Sequence, residues 1–166
     1  SIISLLDPKY VKFLMLSRTK PDNIDLKILS ELSNDSSISI PHLSKKINVN
    51  SSVVYSRIKR LIKRKLIERF TIEINNKELG YTVKSLTGIN MDSKKRDNVI
   101  EELFKIREVR EISEVTGRFD ILVTMYARNL EDMHQLVSEQ IGKIQGIVGS
   151  ESFIEMKTQT KQMPFM

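Results

Sequence analysis

The chain has 166 residues, of which 40% are hydrophobic, a net charge of +6 and no cysteine. This length allows one or two small domains, and the hydrophobic content suits a globular core but is too low for a membrane protein. No apolar run reaches the roughly 18 residues of a spanning helix, and the lack of cysteine excludes disulfides, thiolate metal sites and a cysteine nucleophile, as expected of a cytoplasmic protein.

Residues 1–20 are predicted to be an apolar N-terminal extension. Pro8 fits the first turn of a helix that Asp7 caps and that continues to about Ser17. Because its cations are few and scattered, we expect this segment to pack on its own chain, with an oligomer contact or a membrane-surface helix as the alternatives.

Residues 21–69 are predicted to form three short helices in one compact bundle. The first covers residues 24–32, and the second covers residues 40–47, with Ser39 as its cap and Pro41 in its first turn. About three residues of turn separate it from the third helix, which is the spacing of a helix-turn-helix.

The third helix, which Asn50 caps, has an apolar stripe and an opposite cationic face. The stripe consists of Val54, Ile58, Leu61 and Ile62. The opposite face is predicted to bind DNA, because short polar groups suited to base edges precede cations suited to phosphates. The predicted base-reading residues are Ser52, Tyr55, Ser56 and Lys59, and the predicted phosphate-binding residues are Arg57, Arg60, Lys63 and Lys45.

Positive charge is concentrated in residues 45–69. This segment holds nine Lys or Arg and one acid, a net charge of +8, so the rest of the chain sums to −2. A basic run alone is often only a solvated helix face. Its position on the second helix of a helix-turn-helix favours nucleic-acid binding instead.

Residues 70–82 are predicted to be a connector, and residues 83–166 a second domain. Alternating apolar and polar residues predict a short half-buried strand over 70–74, and Asn75-Asn76 marks a turn. The second domain reads as strand, helix, strand, strand, helix, strand, which is the ferredoxin-like βαββαβ order of an α+β fold. The predicted elements cover residues 83–91, 93–106, 109–116, 121–128, 130–144 and 147–156.

The predicted strand 121–128 is largely apolar on both faces. Two helices can cover only one face of a four-stranded antiparallel sheet, and a bare apolar face of that size is rare on a monomer. A second copy packed sheet against sheet is the simplest partner, and its two-fold symmetry would present two recognition helices to successive turns of DNA.

Five short sequences follow one another along the chain in a distinctive order. They are Asp-Leu-Lys-Ile-Leu at 25–29, Val-Tyr-Ser-Arg-Ile-Lys-Arg-Leu at 54–61, Ile-Asn with Leu-Gly-Tyr at 74–81, Val-Thr-Gly-Arg-Phe-Asp at 115–120 and Gly-Ile-Val at 146–148. In these sequences and their spacing, the chain from about residue 22 onward resembles the Lrp/AsnC (feast/famine) family of transcription regulators.

The resemblance implies dimers that assemble further to tetramers or octamers, and small amino acids as effectors bound between subunits. The residues that it assigns to the effector site are Thr116, Gly117, Arg118, Phe119, Asp120, Ser150 and Ser152. Gly117 would let backbone amides approach a carboxylate, and Asp120 could bind an ammonium. Without the resemblance, the same two residues are typical of a tight strand connection.

The chain departs from the family pattern in three places. Lys65 stands where Gly usually closes the recognition helix, so we expect a longer or differently shaped helix end. Asn50 replaces a usual Ser, which keeps the capping oxygen, and Ser150 and Ser152 stand where Thr is frequent.

The alternative function is a sirohaem-decarboxylase-like enzyme, because some relatives of the fold have that activity. The chain has little His, no Cys and no Gly-rich phosphate loop, so no catalytic residue and no cofactor is predicted. A metabolite sensor without DNA binding is a third class, and the basic segment argues against it. No metal site is predicted, because His42 and His134, the only histidines, fall in different predicted domains.

Overall fold

The computed structural model describes residues 20–161, so the helix predicted from Asp7 to about Ser17 lies outside the described part of the chain. Two compact units divide the described residues. The first ends at Glu73, with Lys161 assigned to it as well, and the second runs from Ile74 to Thr160. The boundary falls inside the predicted connector. No helix among the described residues is long and apolar enough to cross a membrane.

Three helices make up the described part of the first unit: α1 (Asn23–Asn34), α2 (Ile40–Ile47) and α3 (Ser51–Lys63). Each begins where a side chain accepts from a free first-turn amide. Asp22 and Asp25 form a capping box at α1, Ser39 accepts from the His42 N–H at α2, and Asn50 accepts from the Ser52 N–H at α3. These caps explain why the predicted helix starts agree with the structure to within about a residue.

The helices bury one common apolar core. Its fully or nearly fully buried members are Ile28, Leu43, Ile47, Val54 and Leu61. The apolar stripe of the sequence also places Ile62 in this core, but its side chain is 43% exposed. At 100° per residue Ile62 lies about 80° from Val54, whereas Leu61 lies about 20° from it, so the core contact is centred on Val54 and Leu61.

Helix α3 ends in a left-handed residue that is not glycine. Lys65 has φ 56°, its N–H donates to the Ile62 carbonyl at 2.9 Å, and the Leu66 N–H donates to the Leu61 carbonyl at 3.0 Å. This is the hydrogen-bond pattern of a Schellman cap. The expectation of a longer or differently shaped end is wrong, because Lys65 adopts the conformation that glycine would supply.

Residues 70–74 form no strand within the described chain. Phe70, Ile72 and Ile74 are at least half exposed. A strand is stable only when its backbone groups pair with a neighbour, and the described part of the first unit contains no other strand. Alternation alone therefore gave the wrong prediction for this segment.

The second unit contains four strands and two helical segments in the predicted βαββαβ order. They are β1 (Val83–Met91), α4 (Arg96–Lys105), β2 (Val109–Glu114), β3 (Ile121–Ala127), α5 (Leu130–Gln135) and β4 (Ile147–Ile154). A 3₁₀ turn, Ser93–Lys95, precedes α4. The sheet is antiparallel with order β2-β3-β1-β4, so β1 and β3 are its central strands.

The helices pack on one face of this sheet. The buried residues of this core include Ile89, Val99, Leu103, Ile121, Val123, Met125, Met133, Leu136 and Ile141. Two buried hydroxyls in β1 have partners, since Ser85 donates to the Met133 sulfur at 3.3 Å and Thr87 lies 2.8 Å from the Ser152 hydroxyl. Burying them therefore leaves neither hydroxyl orphaned.

The second helical segment is not one continuous α-helix as predicted. After α5 the chain forms a π turn, Leu136–Gln140, and then a 3₁₀ turn, Ile141–Lys143. The two helical segments nevertheless end alike, because Ile106 and Ile144 both follow them in extended conformation with ψ 122°.

Candidate DNA-binding surface and ligand pocket

The N-terminal half of α3 presents hydroxyl groups to solvent. Ser52 is exposed, and its N–H and hydroxyl both donate to the Asn50 side chain, at 2.9 and 2.8 Å. Ser56, one turn later, is also exposed, and its hydroxyl donates to the Val53 carbonyl at 2.9 Å. Both hydroxyl oxygens keep lone pairs for an outside donor. The cap thus fixes where this polar face begins.

Tyr55 and Lys59 form a pair on the same exposed surface. The Lys59 ammonium lies 4.7 Å from the centroid of the Tyr55 ring, within the range of a cation–π contact. Because these residues are four apart, successive turns of the helix bring them together. The contact holds a long flexible lysine over a ring that is itself about half exposed.

Arg57 and Arg60, two of the predicted phosphate ligands, form ion pairs with the start of α1. Arg60 Nη2 lies 2.7 Å from Asp25 Oδ2, and Arg57 Nη1 lies 3.3 Å from Asp25 Oδ1 and also contacts Asp22. Asp25 is fully buried, so its charge is compensated by these two cations and by its hydrogen bond in the capping box. The structure therefore gives both arginines an internal partner.

The same contacts alter the ionisation of the groups. The hydrogen bond from the Asp25 N–H, and after it the Arg57 guanidinium, hold the pKa of Asp22 below its ordinary value. The hydrogen bond with Asp22 raises the pKa of Arg57. The sequence does contain a signal for this cluster. Asp25 shares the apolar face of α1 with Ile28, at i+3, and Leu32, at i+7, which is an unusual place for an acid.

Lys63 and Lys45 differ from the two arginines. Both are exposed, and neither makes an ion pair or hydrogen bond through its side chain with another residue of the described range 20–161. Lys46, beside Lys45, pairs instead with Glu31. Some cations of the first unit are thus held in ion pairs with its own carboxylates, whereas the ammonium groups of Lys63 and Lys45 can donate to an outside partner.

In the second unit, Asp120 fastens the turn 116–120 to the end of β1. Its Oδ2 accepts from the Met91 N–H at 2.9 Å, and its own N–H donates to the Ile89 carbonyl at 3.0 Å. Gly117 has φ 141°, a conformation that favours glycine. The turn is therefore a tight strand connection by its geometry.

A cavity of about 570 Å³ lies beside this turn. Thr116 and Asp120 line it, and an ion pair between Arg96 and Glu114 forms another part of its wall. Met91, Ser93 and Val115 complete the lining. The cavity offers carboxylates, a guanidinium and two hydroxyls, groups that can bind both ends of a small zwitterion.

Arg118 and Phe119 do not line this cavity. The Phe119 ring packs against β1 at Gly88, where a Cβ atom would lie only 2.4 Å from the ring, and meets the Phe153 ring edge-on at 6.5 Å. Arg118 stacks on Phe119 and pairs with Glu151 at 2.8 Å. Gly88, which sequence reasoning missed, is thus the residue that makes room for the aromatic ring.

Ser150 and Ser152 also lie away from the cavity. Both belong to β4, where Ser152 is the register partner of Thr87 and bonds to its hydroxyl, and Ser150 is the register partner of Ile89. Neither lines the cavity beside the turn 116–120. Within residues 20–161, no group of three or more His, Asp or Glu side chains could hold a metal ion.

Comparisons with known proteins agree with this two-part organisation. Residues 21–68 match the model described as winged helix-turn-helix DNA-binding, and residues 85–164 match the Lrp/AsnC ligand binding domain. The fold and the exposed α3 surface thus define a DNA-binding transcription regulator with a ligand-binding domain.

Individual relatives point to the same family. The regulator FL11 of Pyrococcus furiosus is 30% identical over 145 residues, covering 86% of this chain and 95% of its own. LrpA of Pyrococcus horikoshii is 35% identical over 126 residues, covering 76% and 89%. The chain belongs to the Lrp/AsnC family of transcription regulators. Neither relative supports the sirohaem-decarboxylase alternative, since both are named as transcriptional regulators.

Solved structures share the fold. Escherichia coli AsnC superposes with a TM-score of 0.79 at 23% identity, covering 89% of this chain and 100% of its own. The Neisseria meningitidis regulator NMB0573, solved as a complex with L-Met, superposes with a TM-score of 0.81 at 16% identity, covering 87% and 96%.

Proposed function

We propose that α3 is the recognition helix and enters the major groove with its hydroxyl-bearing end. Ser52, Tyr55, Ser56 and Lys59 then face base edges, and Lys63 and Lys45 bind phosphates on either side. The observation that carries this assignment is the solvent exposure of all six side chains in the helix-turn-helix, whose core buries Val54 and Leu61.

Arg57 and Arg60 take a different role in this proposal. Their contacts with Asp22 and Asp25 use some of the five N–H donors of each guanidinium, and the Arg60 side chain is still 45% exposed. They hold α3 against α1 at a defined angle and contact phosphate only with the donors that remain. We therefore assign them first as positioning residues.

The ligand of the second unit is proposed to be a small amino acid, bound in the cavity beside the turn 116–120. Asp120 Oδ1, Arg96 and Thr116 supply the polar contacts. Gly117 shapes the turn, Arg118 and Phe119 cover the neighbouring sheet face, and Ser150 and Ser152 contribute only if a second subunit brings them to a shared site. The L-Met complex of the Neisseria regulator supports this ligand class.

We further propose a homodimer that assembles to a tetramer or octamer, working in the cytoplasm where its DNA is. The sheet face opposite the helices carries Leu86 and Phe153, both exposed by more than 40% of their surface. An apolar face of this kind is suited to a second copy.

The double substitution Lys59→Ala with Lys63→Ala tests the DNA-binding surface. We expect weaker operator binding, and a plot of log affinity against log salt that is flatter by about one unit for each phosphate that the variant no longer binds. The measurement is a fluorescence-anisotropy or gel-shift titration at several salt concentrations, on an operator selected from pooled oligonucleotides.

A matched control removes two exposed lysines of the second unit, Lys94→Ala with Lys143→Ala. It changes net charge by the same amount and should leave the slope nearly as in the wild type. Equal effects of the two pairs would mean that binding depends on overall charge and not on the α3 surface.

A further inference from the structure

A second cavity lies at the opposite end of the sheet from the turn 116–120. It is next to the last residue of β3, Ala127, whereas the turn 116–120 precedes the first residue of β3, Ile121. The seven residues of β3 span about 20 Å at roughly 3.3 Å per residue, so the two cavities are separate sites. The volume of the second is about 250 Å³, below the usual range for a drug-sized ligand.

The floor of this second cavity is apolar and its rim is charged. Ala127 and Leu136, both nearly fully buried, form the floor. The rim bears two guanidinium groups, two carboxylates, a phenol and two amides, from Arg107, Arg128, Glu108, Asp132, Tyr81, Gln135 and Gln140. Two cationic and two anionic side chains give the rim a formal net charge of zero.

These charged rim groups have not paired with one another. Elsewhere Arg96, Arg118 and Arg57 each hold a carboxylate partner within 4 Å. The side chains of Arg107, Arg128, Glu108 and Asp132 form no ion pair or hydrogen bond with any residue among 20–161. Because the cationic and anionic side chains around the cavity form no ion pairs with one another, they can bind the opposite charges of a ligand.

The backbone around the cavity is irregular. Leu136 and Gln140, the first and last residues of the π turn, both line it. Single π turns are rare and occur frequently at functional sites, because the wider turn displaces side chains from their helical positions. This observation is independent of the charges and marks the same place.

We propose that this cavity is a binding site for a small zwitterion, a free amino acid or a close analogue. Its carboxylate is held by Arg107 and Arg128, its ammonium by Asp132 and Glu108, and its side chain lies over Ala127 and Leu136. A neutral rim with both signs of charge favours a ligand that has both charges and no net charge, over a simple anion or cation. The site acts in addition to the one beside the turn 116–120.

Calorimetric titration of the full-length protein with each of the twenty common amino acids, one at a time, tests this proposal. For the amino acid that binds here, Arg107→Gln with Arg128→Gln should lower affinity by about tenfold or more, because two charge-assisted hydrogen-bond partners of its carboxylate are removed. The control variant, Arg69→Gln with Lys94→Gln, removes two exposed cations outside the cavity and should bind the amino acid as the wild type does.

Two further measurements make the assignment specific. The decarboxylated amine of the same ligand should bind the Arg107→Gln, Arg128→Gln protein as well as it binds the wild type, since the missing carboxylate is the partner of both arginines. Asp132→Asn should weaken binding of the amino acid and leave the matching 2-hydroxy acid unaffected. Because all three positions are exposed, the melting temperature without ligand should not change.

Three results would overturn the site. They are the lack of any saturable amino-acid binding, affinity unchanged by the paired arginine substitutions, and binding that survives those substitutions but disappears in Asp120→Asn. The last result would place the only ligand beside the turn 116–120.

Discussion

Asp25 is an acidic residue in an unusual environment, the buried interior of the first unit. Its carboxylate is fully buried at the start of α1, beside the core residue Ile28. Removing an ion from water costs several kcal/mol, and the contacts with Arg57 and Arg60 offset most of that cost. A buried pair of this kind connects residues 32 and 35 positions apart, so it fixes α3 relative to α1.

We expect Asp25→Asn to destabilise the first unit by about 3 kcal/mol, because it leaves two guanidinium groups facing a neutral amide. The measurement is chemical denaturation followed by circular dichroism. The exposed neighbour provides the control, since Asp22→Asn should cost only about 0.5 kcal/mol: asparagine still caps the helix, and only the charge of an exposed ion pair with Arg57 is lost. Similar costs for the two variants would show that burial of Asp25 is energetically unimportant.

The substitution separates positioning from direct contact. At a temperature where Asp25→Asn remains folded, its operator affinity should fall while the salt slope stays as in the wild type, because Lys63 and Lys45 still bind phosphates. If the slope of log affinity against log salt instead flattens, as expected for Lys59→Ala with Lys63→Ala, we would conclude that Arg57 and Arg60 bind phosphates directly.

Some of the site was predictable at the residue scale, and some was not. The hydroxyls and lysines of α3 follow from 100° spacing and one apolar stripe, both local properties. The partners of Arg57 and Arg60 are not local. The orientation of Phe119 over Gly88 likewise depends on a strand 31 positions earlier in the chain.

The end of α3 shows how an element can tolerate an unfavourable residue. Lys65 takes a left-handed conformation that costs an ordinary residue about 1–2 kcal/mol. The Schellman hydrogen bonds and the buried Leu61 at the same turn hold it there. Helix α3 therefore ends where the family pattern ends it, despite the substitution.

Lys65→Gly should stabilise the first unit by about 0.5–1 kcal/mol, which is the relief of left-handed strain minus the extra entropy of glycine in the unfolded chain. Thermal or chemical unfolding measures the change. Lys59→Gly, an exposed position inside the helix, should destabilise by about 1 kcal/mol. If both glycine substitutions changed the free energy of unfolding in the same direction, the left-handed conformation of Lys65 would be contradicted.

The elements themselves differed in how well the sequence predicted them. Helices α1 to α3 have side-chain caps, and strands β1 and β3 have clear bounds, so local chemistry located them. The π turn was missed, although the buried residues Leu136 and Ile141 are five apart, a spacing that an α-helix does not bring onto one line. The strand predicted at 70–74 does not form, because a strand also needs a neighbouring strand to pair with, and the sequence of the segment itself does not show whether one is present.

At the scale of the whole molecule, the proposed dimer would form through the sheet face opposite the helices, which carries the exposed Leu86 and Phe153. Phe119, Leu86, Leu122 and Phe153 lie together there, around the glycine at position 88. Arg118 and Glu151 form an ion pair at the same place. Burying it between two copies would remove large apolar side chains of the second unit from water.

We expect Phe153→Asp to convert the protein into monomers, because a dimer formed through this face would bury two unpaired carboxylates, one from each copy. Analytical ultracentrifugation measures the mass. The matched control is Phe104→Asp, which changes a phenylalanine that is 60% exposed on α4, on the helix side of the sheet, and should leave the mass unchanged. A monomer would also have a lower operator affinity, since one recognition helix binds one half-site where two had bound together. If the Phe153→Asp protein keeps the wild-type mass while Phe104→Asp dissociates, the copies meet through the helices and not through the sheet.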